Sequence, residues 1–297
     1  MPEPDDAGTP AQLAAFVAAR PRLLRLAYRF MGSVAEAEDI VQEAWLRHAG
    51  IAMHGPVERP LARIVTNLAL DRLKSAQHRH ENYVGAWLPE PMAGAAAPDD
   101  HGLDLSFAIM RALERLSPAE RAALFLHDLF DFTFEEIAET LERTPQACRQ
   151  LASRARKALR EGERRFNPTT AQVEALRTAF DTTRQSGDVA PLMQLLAEDA
   201  VMISDGGGKV PAVRDPLVGG RRIAEVLGGM LRKFPAHHAL TARVAPINDV
   251  PGRMVFVDGT LEQTMSVDLN AAGAITGLYI VRNPDKLAAL QDAAEKA

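Results

Sequence analysis

The chain has 297 residues, 47% of them hydrophobic and 25% charged, a net charge of -5 and one cysteine. Single cores rarely grow past about 250 residues, so this length implies two or three domains, and the composition excludes a disordered or fibrous chain. No apolar run approaches the roughly 18 to 20 residues of a membrane helix, and the opening MPEPDDAGTP lacks the features of a signal peptide, which predicts a cytoplasmic protein. Cys148 has no Cys or His at ligand spacing, so no disulfide, metal or other cofactor is expected.

Residues 1–10 read as a flexible N-terminus. Helical periodicity follows, with Leu13, Phe16, Val17, Leu23, Leu24, Ala27 and Met31 on one apolar stripe. Ser33 and Glu36 form a capping box that opens a second helix, EAEDIVQEAWLRHAG. Beyond a loop at 50–60, LARIVTNLALDRLKSAQHRH points Leu61, Ile64, Val65, Leu68 and Leu73 inward, completing a bundle of three or four helices over residues 11–84.

Residues 85–104 are rich in Gly and Pro and read as a linker. Within it, WLPEP (Trp87, Leu88, Pro89, Glu90, Pro91) sets an aromatic beside a stiff turn. A plain spacer has little use for Trp87, which either folds back on its own bundle or docks another part of the chain.

Helices resume over 105–165. Ser117 and Glu120 form a capping box with Pro118 at the first helical position, Thr133 and Glu136 form another, and Thr144 caps a last helix. Ala138, Leu141, Cys148, Leu151, Ala152, Ala155 and Leu159 make the inner stripe. Gln146, Arg149, Gln150, Ser153, Arg154 and Lys157 make an outer polar face, the arrangement of a recognition helix in a major groove. After a short join at 166–170, residues 171–297 turn to α+β. Helices are expected at 171–186, 189–197 and 219–233. Strands are expected at VMIS from 201, LTARVAPI from 240, RMVFVDGTLEQTMSVDL from 253 and AITGLYIVR from 274, curling around the helices as a cone.

Charge is distributed unevenly. Residues 59–80 carry five bases against Asp71, and residues 143–160 carry six against none, whereas Glu36, Glu38, Asp39 and Glu43 are unbalanced over 31–46. Two basic patches imply two contacts with a polyanion. On the helix from Leu61, Arg63, Asn67, Asp71, Arg72 and Lys74 form a polar face that suits a groove or exposed bases, or is simply solvated.

GSVAEAEDIVQEAWLR with LARIVTNLALDRLKS closely resembles domain two of extracytoplasmic-function (group IV) RNA polymerase sigma factors. LSPAERAALFLHDLFDFTFEEIAETLERTPQACRQLASRARKAL resembles domain four. The resemblance implies core RNA polymerase (β′ clamp and β flap) and promoter DNA as partners, and no membrane. Asp39, Gln42 and Glu43 would dock the clamp; Arg63, Asn67, Asp71, Arg72 and Lys74 would read and melt the minus-ten element; the second basic helix would read the minus-thirty-five element. The acidic stretches then suit a basic protein partner.

The tail resembles the SnoaL-like cones appended to one subgroup of these factors, through WLPEP, DGGGK (Asp205, Gly206, Gly207, Gly208, Lys209) and NPDKL (Asn283, Pro284, Asp285, Lys286, Leu287). It implies an intramolecular contact that modulates activity. Otherwise the glycine run reads as a hairpin and NPDKL as a helix start. The fold class expected is therefore multidomain: two all-α sigma domains, a helical bundle and a helix-turn-helix, plus a C-terminal α+β SnoaL-like cone. Such cones enclose apolar cavities easily, so a small-molecule ligand is one further partner. Some are enzymes, an isomerase or hydrolase reading for which Asp205, His237, His238 and Asp258 are candidates, but no pairing among them is visible and no catalytic activity is expected. A helix-turn-helix operator-binding regulator is the other alternative; it leaves residues 33–80 unexplained and requires a dimer.

Overall fold

The computed structural model describes residues 10–49, 57–81, 83–94, 104–162, 166–233 and 238–295. The expected flexible N-terminus lies outside them apart from Pro10. The chain forms two compact units, one of Met1–Glu81, Ala97–Leu103 and Ala112–Glu161, the other of Asn82–Ala96, Asp104–Arg111 and Gly162–Ala297.

The first unit opens with three helices, α1 (Pro10–Met31), α2 (Val34–Ala49) and α3 (Glu58–Glu81). Gly32, at φ +66°, makes the break between α1 and α2. The Glu36 N–H then donates to Ser33 Oγ at 3.4 Å, satisfying one orphan donor of the new helix. Leu23, Leu26, Ala27, Ile40, Val41, Leu61 and Val65 are buried between the three. The expected stripe on α1 is only partly covered: Leu13 and Val17 are 49% and 60% exposed. Ile64 and Leu73 on α3 are half-buried.

The unit resumes at Ala112, in the last turn of α4 (Phe107–Glu114), and continues through α5 (Pro118–Phe130), α6 (Phe134–Leu141) and α7 (Pro145–Gly162). Both capping boxes are formed, Ser117 with Glu120 and Thr133 with Glu136. Each N-cap stabilises its helix by about 1 kcal/mol. Glu142, at φ +52°, ends α6 and begins the turn into α7. Cys148, Ala152 and Ala155 are buried on the inner stripe, whereas Leu141 is only half-buried.

Two arginines stitch α1 to α5. Arg22 donates to Leu129 O at 2.6 Å and lies over the Phe130 ring, its other amino group reaching Glu58 on α3. Arg121, buried, donates to Phe30 O at 3.0 Å; burial lowers its pKa.

The second unit is α+β, with α8 (Thr170–Ser186), α9 (Ala190–Leu195), β1 (Leu196–Asp205), β2 (Leu217–Val218), α10 (Gly220–Lys233), β3 (Leu240–Ile247), β4 (Val250–Val257), β5 (Thr260–Leu269), β6 (Ile275–Val281) and α11 (Pro284–Glu295). The sheet order is β2-β1-β6-β5-β4-β3, antiparallel except for β1 with β6. Asn248-Asp249 and Asp258-Gly259 each supply two positive φ values, the requirement of a two-residue hairpin loop, and the second pair splits the run from 253 into two strands. The helix expected over 189–197 stops at Leu195 because Leu196 is extended and enters β1.

One face of the sheet packs Met202, Val255, Met265 and Ile280 against Phe180 of α8 and Leu227 of α10. Irregular register at Val255/Phe256 and Asp268/Leu269 bends the sheet around these helices into the cone. The opposite face is also covered. Ile203, Met254, Tyr279 and Val281 pack with Leu88, Phe107, Leu287 and Leu290, and Phe107 stacks on Tyr279 at 5.6 Å. Burial on both faces is why β6 reads as a nearly continuous apolar run. Residues 83–94 are therefore not a free spacer. Burying Leu88 completely contributes about 1.5 to 3 kcal/mol.

Candidate functional site

On α7, the six polar residues expected to share a face, Gln146, Arg149, Gln150, Ser153, Arg154 and Lys157, are all exposed. Two are held by neighbours. Arg149 pairs with Glu135 at 3.0 Å and lies over the Phe134 ring; Arg154 pairs with Glu120 at 3.1 Å. Behind this face, Arg156 clamps Asp128 and ties α7 to α5. Burial pushes the Asp128 carboxyl up, but its bonds to Arg156 and His127 outweigh this and leave it below the ordinary carboxylate value. Cys148 is buried, and burial raises its thiol pKa, so it is a core residue rather than a nucleophile.

The expected docking residues Asp39 and Gln42 are exposed on α2 and Glu43 is half-buried. Leu46, one turn beyond Gln42, is 68% exposed and extends the same face; a leucine in a helix carries no sequence mark that it faces out. On α3, Asn67 and Asp71 are exposed, and the side chain of Lys74 lies outside the described residues. Arg72 turns to α2, pairing with Glu43 at 3.1 Å and Asp39 at 3.9 Å. Arg63 and Arg59 turn to α6, pairing with Glu139 at 3.6 Å and Glu136 at 2.6 Å.

The three motifs expected to act together converge on Asp205 in the second unit. Its carboxylate is fully buried, and its Oδ2 accepts from Leu88 N at 2.9 Å and Lys286 Nζ at 2.8 Å. Its Oδ1 accepts from Gly207 N at 2.9 Å and from the Tyr83 hydroxyl at 2.6 Å. The Lys286 ammonium also donates to Leu88 O and lies over the Trp87 ring at 4.4 Å. Trp87 thus joins the contact within the second unit.

The glycines permit the approach. At Gly207, φ +62°, an added Cβ would sit 2.4 Å from Asn283 Nδ2, and at Gly208, φ +71°, 2.9 Å from Val84 Cβ. The run turns the chain out of β1 and is not a tight hairpin. Outside this knot, Lys209 pairs with Asp285 at 2.5 Å. Asn283 Oδ1 accepts from Asp285 N at the start of α11, so NPDKL is both a helix start and part of the contact.

Residues 16–79 match the Sigma-70 region 2 family, and residues 106–159 match Sigma-70, region 4. The chain is 35% identical over 292 residues to the ECF RNA polymerase sigma factor SigJ of Mycobacterium tuberculosis, covering 93% of each. The chain belongs to the extracytoplasmic-function RNA polymerase sigma factors. It is also 30% identical over 286 residues to the probable ECF sigma factor SigI of the same species, covering 92% of this chain and 94% of that one. The crystal structure of Mycobacterium tuberculosis SigJ superposes with a TM-score of 0.73 at 32% identity over 93% of this chain and 98% of that one. This sigma factor carries two helical sigma domains and a C-terminal α+β domain in which a six-stranded sheet curls around helices, and its class implies core RNA polymerase and promoter DNA as partners.

Three residues that hold the 83–106 segment carry no sequence mark of that role. Tyr83 precedes WLPEP, yet its hydroxyl bridges Asp205 and Asn283. Burial, then the hydrogen bond and charge of Asp205, raise its pKa well above the ordinary 10.0. Asn248 and Asp249, in the β3–β4 turn, hold the rest of the segment. Asn248 Oδ1 accepts from Met92 N at 2.8 Å, Asn248 Nδ2 donates to Leu105 O at 2.9 Å, and Asp249 accepts from Leu105 N at 3.0 Å. Their sequence signal was only that of a turn.

Of the enzyme candidates, Asp205 is occupied in the knot. His238 Nδ1 and Asp258 Oδ2 lie 2.5 Å apart beside the β4–β5 turn, and His237 lies outside the described residues. Among the described residues no helix is long and apolar enough to cross a membrane.

Proposed function

We propose that this sigma factor is controlled by its own C-terminal cone, which grips the segment between its two sigma domains. The observation that carries this is the buried ion pair of Asp205 and Lys286, closed around the backbone of Leu88. Residues 83–94 and 104–105 lie in sequence between region 2 and region 4. A cone that holds this segment constrains how far the two DNA-binding modules can separate. It works by binding rather than turnover.

Under this reading, Asp39, Gln42 and Glu43, with Leu46 beside them, dock the β′ clamp, and region 4 meets the β flap. Arg63, Asn67, Asp71, Arg72 and Lys74 serve the minus-ten element, and Gln146, Arg149, Gln150, Ser153, Arg154 and Lys157 serve the minus-thirty-five element. Arg63 and Arg72 are paired with carboxylates, pairs that DNA must displace. Each such exposed pair is worth only about 0.2 to 1 kcal/mol, so a phosphate backbone can displace it.

Run-off transcription with purified core polymerase tests the proposal. Full-length protein and a chain lacking 283–297 should direct initiation from the same promoter at different levels. Equal output sinks the control role, and no product with either sinks the polymerase and promoter roles.

A further inference from the structure

The cone holds a cavity of about 540 Å³ between the sheet, α8 and α10, a size suited to a small molecule. Its wall is mostly apolar, with Phe180, Met202, Leu227, Val255, Met265 and Ile280. Of the described charged side chains on that wall, Arg253 alone is fully inside, at 3% exposure; Asp181, Glu262 and Arg282 are half-buried and Arg184 is exposed.

Among the described residues Arg253 is short of partners: its Nη1 reaches only Met265 Sδ at 3.9 Å, its guanidinium lies over Phe180 at 4.9 Å, and its Nε has no acceptor. Asp181, the largest source of negative field at Arg253, is already paired with Arg177 at 2.9 Å. Burial lowers the Arg253 pKa to about 10, which leaves it charged at neutral pH. Arg282, on the same wall, donates one amino group to Pro211 O and also has a buried Nε without an acceptor. A buried cation without a carboxylate is costly, and structures keep one where an anion completes it.

We infer that the cone binds an apolar monocarboxylate, its carboxylate on Arg253 and its hydrocarbon body against the apolar wall. Arg253 presents a planar fork of donors that a carboxylate matches and an alcohol does not. The site also lies next to the Asp205 knot. Ser204 and Arg282 line the cavity, while the residues after them, Asp205 and Asn283, belong to the knot. A role for the ligand in control rests on the proposed function; binding itself does not.

Isothermal titration of the full chain with octanoate, octanol, octylamine and inorganic phosphate tests the site. Octanoate should bind saturably, and octanol about ten- to a hundredfold more weakly, the value of a hydrogen-bonded charge. Octylamine and phosphate should not bind. Arg253→Met should reduce octanoate to the level of octanol without lowering the melting temperature, since it removes an uncompensated buried charge at similar volume. Octanol binding as tightly as octanoate, phosphate binding alone, absence of octanoate binding, or unaltered binding in R253M each overturns the inference. The octanoate and octanol contrast needs no variant, so it decides the matter even if R253M does not fold. Run-off transcription with octanoate separates the two readings: saturable binding with unchanged output upholds the site and overturns its link to control.

Discussion

Lys286→Met isolates the ion pair on which the proposed control depends. The substitution keeps the side-chain volume and leaves the Asp205 carboxylate fully buried without its cation, 2.8 Å away in the wild type. Breaking a buried pair from one side costs about 3 to 5 kcal/mol. Asp205 keeps three donors, Tyr83 Oη, Leu88 N and Gly207 N, so the lower end applies, about 3 kcal/mol. Local opening of the 83–94 segment should become about a hundredfold more frequent. Hydrogen exchange at the Leu88 amide, which donates to Asp205, reads this directly. Adding Asp205→Asn removes the stranded charge and should recover most of the protection. Unchanged exchange in K286M, or a double variant worse than either single one, would refute the reasoning.

Tyr83 makes the same contact sensitive to alkali. Its folded pKa is raised, so its contribution is complete below the unfolded value of 10.0 and is lost as pH rises from there through the folded value. Protection of the segment should fall over that window, and Tyr83→Phe, at a cost of about 1 kcal/mol, should abolish the dependence. Asp128 has the opposite sign. Its folded pKa is depressed, so the stability it contributes is present above the unfolded value and lost as pH falls through the folded one. Asp128→Asn should therefore destabilise region 4 by about 1 kcal/mol at neutral pH, discounted for partial exposure, and by nothing in strong acid; thermal unfolding followed by circular dichroism checks this. On α7, Arg154→Ala should weaken binding to a matched minus-thirty-five element by about 1 to 3 kcal/mol while sparing mismatched DNA. Lys157→Ala should instead weaken both alike and lower the salt slope by about one. Fluorescence anisotropy at several salt concentrations separates these outcomes.

How much was legible follows the range of the interactions involved. The capping boxes at Ser117 and Thr133, the break at Gly32 and the polar face of α7 depend on residues three or four apart, so the sequence places them closely. Asp39, Gln42 and Glu43 on α2 were expected as clamp contacts from the resemblance to sigma domain two, and the polar residues of α3 were placed by helical spacing. That Arg72 turns to Asp39 and Glu43 was not, because it depends on how two helices cross. Leu13 and Val17 matched the periodic stripe, but no helix among the described residues covers them, and they are exposed.

For this sigma factor, the sequence alone determined the two helical modules and their charged faces, since helical period and caps are local properties, whereas WLPEP, DGGGK and NPDKL were singled out by their resemblance to one subgroup of the family. Only the tertiary structure decided what 83–94 does. Its prolines and glycines resemble those of a spacer, and only the apolar outer face of the sheet, with Asp205 waiting on it, turns the segment into an anchored strap. The same holds for Arg253, which is one arginine in an alternating strand until the cone closes around it and leaves its charge facing an apolar cavity.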